Sequence, residues 1–464
     1  VDASHYEVMP SAILCPADEY DVQLACQHSH DNKIPVTARG AGTGLLGQSL
    51  SDGIILDFTK HMNRVIEVDT NNVVVQPGIV KAVLDLELKK KGKFLPPDPA
   101  SSNYCTVGGM IADNSSGVHC LGYGNTIDFL EEVKTVYADG TFGHSTKESR
   151  DQKMLQLREL LFSKLPSIRK CFPRVSKNSC GYRLDAVMKG GDFHPQKIFA
   201  ASEGTLGIVT QARFRILDVP ESRSLLVLGF PDLLAALGAV PAILEFAPVA
   251  LEMMDHTVFA HGSTESSGPG CLLFVEFAGN GAKPESQMAL CMQKNAGTCT
   301  VLEHASDEQS ITRIWSARKG ALNSIMKLTV GSRKPIGLIE DTVVRPHELV
   351  AHATDLLHTY RHYRMNYVMY GHVGDGNMHT RPLIDIASGD ETRLMERIAR
   401  RIFSRVVASG GTITGEHGDG IARLPFIELM YGEKMTQIFY SVKKLFDPAF
   451  TLNPGKKVPL RVAQ

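Results

Sequence analysis

The sequence predicts an α+β fold in two parts, and three features predict it. Up to about Ile216, short β-rich runs alternate with helical ones, a pattern suited to nucleotide binding. Pro96 to Gly143 is dense in Gly, Ser and Asn, including GGMIADNSSG, which suits backbone lying close against a ligand. From about Arg223, β-rich and helical runs alternate again, with open connections that favour an antiparallel or mixed sheet carrying helices on one face.

In the first part, strands are expected at Ala12–Cys15, Val36–Ala38, Gly53–Asp57, Val65–Asp69 and Asn72–Gln76, and helices at Glu19–Asp31 and Val80–Lys91. The second part reads LLVLGF, helix, ALEMMD, CLLFVEF, helix, TCTVLE, a long helix over Asp307–Leu322, IGLIEDTVV, helix, and NYVMYGHVG. Helices at Glu391–Ala408 and Pro425–Phe446 follow, and FDPAFTLNPGKKV closes on an Asn-Pro-Gly turn. The boundaries are set at 1–217 for a ligand-binding domain, 218–410 for a second α+β domain, and 411–464 for a closing segment that returns to the first domain. The sequence holds no internal repeat and no low-complexity tract.

Composition removes several classes. The 49 Lys and Arg nearly balance the 50 Asp and Glu, and no basic run carries interleaved aromatics, so nucleic acid is excluded as the main partner. The longest apolar stretch, Leu225 to Met254, is broken by Pro231, Asp232, Pro241, Glu245 and Pro248, so it reads as strand, helix, strand and no transmembrane segment is expected. Nine cysteines without a C-x-x-C pair argue against zinc ribbons and iron–sulfur clusters, and point to reduced thiols in a cytoplasm. The chain opens without Met, so upstream residues are expected.

Residues 39–49, RGAGTGLLGQS, place glycines at 40, 42, 44 and 47, and this backbone can curl to turn successive N–H groups toward a pyrophosphate. The segment also approximates a P-loop, but Gln48 stands where the phosphate-binding Lys is needed, which disfavours ATP. The dinucleotide fingerprint fails on glycine spacing.

Three further segments, PPDPASSNYCTVGGMIADNSSG at 96–117, LGYGNTIDFLEEVKTVYADG at 121–140 and SEGTLGIVT at 202–210, follow in order. Together the four segments resemble the FAD-binding domain of the vanillyl-alcohol-oxidase superfamily, in its D-lactate, glycolate and D-2-hydroxyglutarate dehydrogenase branch, over nearly the whole chain. The resemblance implies a two-subdomain FAD-binding domain and an α+β cap with an antiparallel sheet. It implies that Arg39, Gly40, Gly42, Thr43, Gly44, Gly47 and Ser49 cradle the FAD phosphates. Pro97, Thr106, Gly108, Gly109, Ala112, Ser115 and Gly117 are implied to line the flavin and ribityl, with Gly122, Gly124 and Ile208 beside them. The His usual in the first loop of covalent flavoproteins is absent, so FAD is expected to bind non-covalently, with Cys105 as packing.

A second constellation is HVGDGNMH at 372–379, followed by GEHGDG at 415–420. Two imidazoles and a carboxylate make a three-ligand set for zinc or a similar divalent ion, with positions left open for substrate. The plainer role for these histidines is to hydrogen-bond loop backbone. The resemblance places metal ligands at His372, His379 and Glu416 and the catalytic base at His417. Arg318 in IWSARKG matches a substrate-binding arginine of the family, and Arg381 stands where the D-2-hydroxyglutarate enzymes carry Asn. Ile339 and Leu322 replace a Lys and a Thr of those enzymes, which argues for another acid or another clamp, to which Lys319 or Lys334 would contribute.

The function expected is oxidation of a small D-2-hydroxy acid with FAD, a divalent metal and a His base, the electrons leaving to a separate quinone, cytochrome or iron–sulfur partner. The setting expected is cytoplasmic or peripheral at a membrane, and the expectation extends to a homodimer. Alternatives are an oxygen-using oxidase, a flavin electron-transfer subunit of an iron–sulfur complex, and a non-catalytic zinc-stabilised domain, which predicts a closed four-ligand site and no flavin.

Overall fold

The computed structural model describes residues 1–259, 268–326, 328 and 330–459, without the side chains of residues 322–324 and 326. The side chain of Leu322 therefore lies outside the described residues. Helix Glu19–Asn32 shows how local chemistry sets the boundaries. The Asp18 carboxylate accepts from the amides of Tyr20 and Asp21, and Lys33 ends the helix in the left-handed region at φ 55°.

Two small sheets frame the first part. One is parallel, with Ile54–Asp57 between Ala12–Leu14 and Val36–Arg39. The other is antiparallel, in the order Val65–Val68, Asn72–Val75, Ile208–Arg215, Leu130–Val136, Phe142–Ser145. The glycine-rich GGMIADN stretch, expected only as ligand-facing backbone, forms a helix over Val107–Asp113. Thr106 caps it and Val107, Met110 and Ile111 bury one face, and that burial offsets the helical cost of two glycines.

From Ser222 onward the strands form an eight-stranded antiparallel sheet. Its order is Thr300–Ala305, Ser222–Phe230, Cys271–Gly279, Ala250–Asp255, Tyr367–Gly371, Asn377–Ile384, Lys334–Pro335, with Thr342–Val343 also pairing to Asn377–Ile384. The apolar stretch is strand Ser222–Phe230, helix Leu233–Leu244 and strand Ala250–Asp255. Among the described residues no helix is long and apolar enough to cross a membrane. All nine cysteines are free thiols.

IGLIEDTVV, expected as a strand, contributes only Thr342–Val343. Asp341 breaks it with φ 74°, a left-handed conformation that a non-glycine residue holds only when its surroundings demand it. The helix expected from Pro425 begins at Ile427, after a 3-10 turn, and is kinked at Gly432.

The closing segment packs back onto the first part. The Val36 amide donates to the Thr451 carbonyl at 2.8 Å, and the Asn453 amide donates to the Val36 carbonyl at 2.9 Å. Lys457 is fully buried between Asp419 at 2.7 Å and Glu203 at 3.1 Å.

Beneath the sheet, His352 is buried, with Nε2 2.9 Å from Thr342 Oγ1, and burial lowers its pKa from 6.5 to about 4. The folded state therefore binds fewer protons than the unfolded chain between those values, and stability rises with pH across that window. Acidification from pH 6.5 to 4 should cost about 3 kcal/mol through this residue. Denaturant unfolding of wild type and His352→Gln across that range should give a shallower slope for the variant; identical slopes would remove His352 from the account.

Candidate active site

One cavity of about 500 Å³ is lined on one wall by Arg39, Gly40, Gly42, Thr43, Gly44 and Ser49 and on another by Thr106, Gly108, Gly109, Ala112 and Ser115. The same cavity is lined by Arg318, Arg381, His372, His379, Glu416 and His417. The two sequence constellations, expected separately for a cofactor and a metal, thus face a common space.

Gly47, Pro97, Gly117, Gly122, Gly124 and Ile208 do not line it. Ile208 is buried in a core cluster with Val22 and Val36, while its neighbour Val209 lines the cavity; the alternation along the strand separates them by one position. A Cβ on Gly122 would lie 2.7 Å from Val249, and one on Gly117 2.3 Å from the Asp98 carbonyl oxygen, so both glycines allow close chain packing. Gly40 does border the cavity, and a Cβ there would lie 2.0 Å from Thr106 Oγ1, so the two walls meet only because the side chain is absent.

The sheet assembles the polar end. His379 and Arg381 alternate onto one face of strand Asn377–Ile384, His379 opposite Tyr370, and His372 follows the neighbouring strand directly. Met253 pairs with Gly371, which brings Glu252 alongside His372. His372 Nδ1 lies 2.6 Å from Glu252 Oε1, its Nε2 lies 2.9 Å from Glu416 Oε1, and His379 Nε2 lies 3.3 Å from the same oxygen. Burial opposes protonation of His372, but Glu252 and Glu416 outweigh it and raise its pKa to about 9.

These separations fit a divalent ion. Bonds of about 2.0–2.1 Å in tetrahedral or octahedral geometry put ligand atoms roughly 2.9–3.4 Å apart. Glu252 behind His372 is the carboxylate–histidine support common around such ligands. Glu340, His379 and His417 form a second cluster with potential ligand atoms within 4.8 Å. Glu340 already lies 3.3 Å from Arg423 and 3.5 Å from Arg381, and two guanidinium groups oppose a cation there. The first cluster is the better ion site.

The loop bearing Glu416 and His417 hangs on Asp341, whose Oδ2 accepts from the amides of Gly415, Glu416 and His417, each at 2.9 Å. Gln48, at the position that a P-loop gives to lysine, donates to the His417 carbonyl. His417 Nδ1 lies 2.8 Å from Glu340 Oε1, and its ring stacks on His379 with centroids 4.9 Å apart. Burial would lower the His417 pKa, but Glu340, then Asp341, raises it overall. Burial would raise the Glu340 pKa, but His417 and Arg381 outweigh it and hold it well below the usual carboxylate range.

Arg318 is buried and donates to Glu252 Oε2. Lys319 lines the cavity, Lys334 is exposed on an edge strand, and Ile339 is in the core. Cys105 borders the cavity, and burial raises its pKa, which keeps the thiol protonated and a poor nucleophile.

Sequence reasoning missed Glu252, Glu340, Asp341, Lys177 and Ser116. Glu252 carried a weak signal, an acid inside the apolar strand ALEMMD; Lys177 and Ser116 carried none, their partner Glu416 being 239 and 300 positions away.

Residues 219–457 match the family described as FAD linked oxidases, C-terminal domain, and residues 10–145 match the FAD binding domain. The chain belongs to this family of FAD-linked flavoproteins, and its fold is that of the vanillyl-alcohol-oxidase superfamily. It is similar to the glycolate oxidase subunit GlcD of Bacillus subtilis, 29% identical over 97% of this chain and 89% of that protein. It is also similar to the D-lactate dehydrogenase of Archaeoglobus fulgidus, 27% identical over 96% and 91%. The D-2-hydroxyglutarate dehydrogenase of Escherichia coli is 30% identical over 99% of this chain, which spans 49% of that protein. The solved structure of p-cresol methylhydroxylase superposes with TM-score 0.69 at 15% identity, covering 97% of this chain and 89% of that one.

Asp341→Asn keeps the volume but leaves one acceptor oxygen without charge. The variant should lose about 1.5–3 kcal/mol of stability, the worth of charge-assisted hydrogen bonds, read by denaturant unfolding. An unchanged midpoint would show that the loop does not depend on this carboxylate.

Proposed function

We propose that this chain is an FAD-dependent dehydrogenase that oxidises a small D-2-hydroxy acid to the 2-oxo acid with a divalent ion, zinc by the chemistry of its ligands. The observation that carries this reading is the opening of the His372, His379 and Glu416 cluster, with His417 and Arg318, into the same cavity as the glycine-lined walls. The names of the related glycolate and D-lactate proteins support the substrate class. His372, His379 and Glu416 would hold the ion; Gly40, Gly42, Gly44, Thr106 and Gly108 would border the cofactor.

When bound, the flavin supplies a hydride acceptor and the ion supplies Lewis acidity at the substrate hydroxyl. His417 takes the hydroxyl proton at Nε2. Its Nδ1 donates to Glu340, which fixes the tautomer and stabilises the imidazolium as the proton arrives. The C2–H bond breaks with its electron pair, and the hydroxyl carbon becomes the carbonyl. Arg318 binds the carboxylate through its planar fork, oriented from behind by Glu252. Arg381, on the His379 face of the same strand, is the second substrate-facing arginine of this reading. Electrons then leave to a separate acceptor, a quinone or an electron-carrier protein.

Anaerobic addition of D-lactate, glycolate, D-2-hydroxyglutarate and D-malate, with the L-isomers as controls, tests the proposal. Bleaching of the flavin band by a D-acid or by glycolate supports it; a yellow protein that none bleaches favours the electron-relay reading. His417→Ala should retain flavin while reduction slows by about two to four decades, and near-normal reduction would sink the base assignment. Arg318→Lys should raise KM more than it lowers kcat, since a bidentate contact is lost; unaltered steady-state kinetics would count against it.

A further inference from the structure

Glu416 divides its two oxygens between different tasks. Oε1 faces His372 Nε2 at 2.9 Å and His379 Nε2 at 3.3 Å. Oε2 accepts from Ser116 Oγ at 2.8 Å and from Lys177 Nζ at 2.9 Å. Lys177 and Ser116 are both buried, and Lys177 Nζ also reaches the Gly117 carbonyl at 3.4 Å. The next residues tie the same strip of chain to the Glu416 loop. Ser179 donates through its amide to the Thr414 carbonyl at 2.9 Å and through Oγ to the Gly415 carbonyl at 3.0 Å.

We infer that Lys177 and Ser116 are positioning residues that hold Glu416 as a one-oxygen ligand, turning Oε1 to the ion and reserving Oε2 for the protein. The inference rests on the ion site proposed above. For the carboxylate to grip an ion through both oxygens, Oε2 must give up an ammonium and a hydroxyl donor, both on buried side chains. One-oxygen ligation leaves more of the ion's coordination sphere for a chelating substrate. Ser116 also lines the cavity, so a single loop forms part of the cofactor wall and orients a metal ligand. None of this is visible from the HxxxxxxH and GEH motifs, which give ligand identity and not the angle at which the carboxylate meets the ion.

The sign of one measurement separates positioning from plain electrostatics. Removing a cation beside the site would, by Coulomb's law alone, tighten the binding of a second cation. Removing a group that orients a ligand loosens binding, by about 10–100-fold for supports of this kind. The experiment is a zinc titration of the FAD-loaded chain against a chromophoric chelator, with flavin content and thermal melting followed in parallel.

Lys177→Gln should weaken zinc about 10–100-fold and Ser116→Ala about tenfold, the low end for one hydrogen bond to a charged group, with flavin retained in both. Lys177→Arg, which keeps a charged donor to Oε2, should recover most of the affinity. Zinc binding that is unchanged or tighter in a folded, yellow Lys177→Gln protein overturns the inference while leaving the ion site standing. If Lys177→Gln does not fold, Ser116→Ala decides, and an unchanged dissociation constant there overturns it. A wild-type chain that binds no zinc overturns the ion site and this inference together.

Discussion

The candidate site depends first on one carboxylate that touches neither wall of the cavity. Asp341 collects three successive amides, of Gly415, Glu416 and His417, on a single oxygen, and in doing so fixes the direction in which two functional side chains leave the backbone. Its own backbone is held at a positive φ, Asn377 donates to its Oδ1 at 3.1 Å, and Arg423 reaches the shared Oδ2 at 3.5 Å. Three buried N–H groups left without acceptors would cost more than the strain of one residue, which explains why the strain persists.

Charge is arranged around that anchor in matched pairs. Arg318 meets Glu252, Lys177 meets Glu416, Arg381 and Arg423 meet Glu340, and Lys457 meets Asp419 and Glu203. Burying so many ions is stabilising only when each has a partner and further hydrogen bonds, and removing one member of a pair would leave the other uncompensated. The pairing also sorts the two clusters of ligands. Glu340 has both oxygens close to groups that include Arg381 and Arg423, whereas Glu416 turns Oε1 to His372 and His379 and meets its lysine through Oε2.

Elements with a strong period or a local cap were readable in the sequence. The Glu19 helix and the strand, helix, strand of Leu225 to Met254 follow from spacing and from Pro and Asp breakers. The helix at Val107 was hidden by its glycines, since its stability comes from burying Val107, Met110 and Ile111 and not from propensity. IGLIEDTVV is rich in β-branched residues, but Asp341 inside it turns away at a positive φ to meet the amides of residues 415–417. At the site, dense motifs exposed the histidines, Glu416 and the glycine loop. The supporting side chains stayed hidden because their partners lie in distant sequence, and Ile208 faces the core while Val209 faces the cavity, two adjacent apolar residues that composition alone does not tell apart.

The return of residues 451–453 to Val36 has a consequence in time. Val36 and its partners are more than 400 positions apart, so this contact closes one of the longest loops the chain can make, and long-range closures come late in folding. Beyond that contact, Lys457 adds the buried ion pairs to Glu203 and Asp419. Closure across so long a loop is slow, so the cover that residues 451–457 place over Glu203 and Asp419 is expected to follow the local packing of the first part and not to precede it.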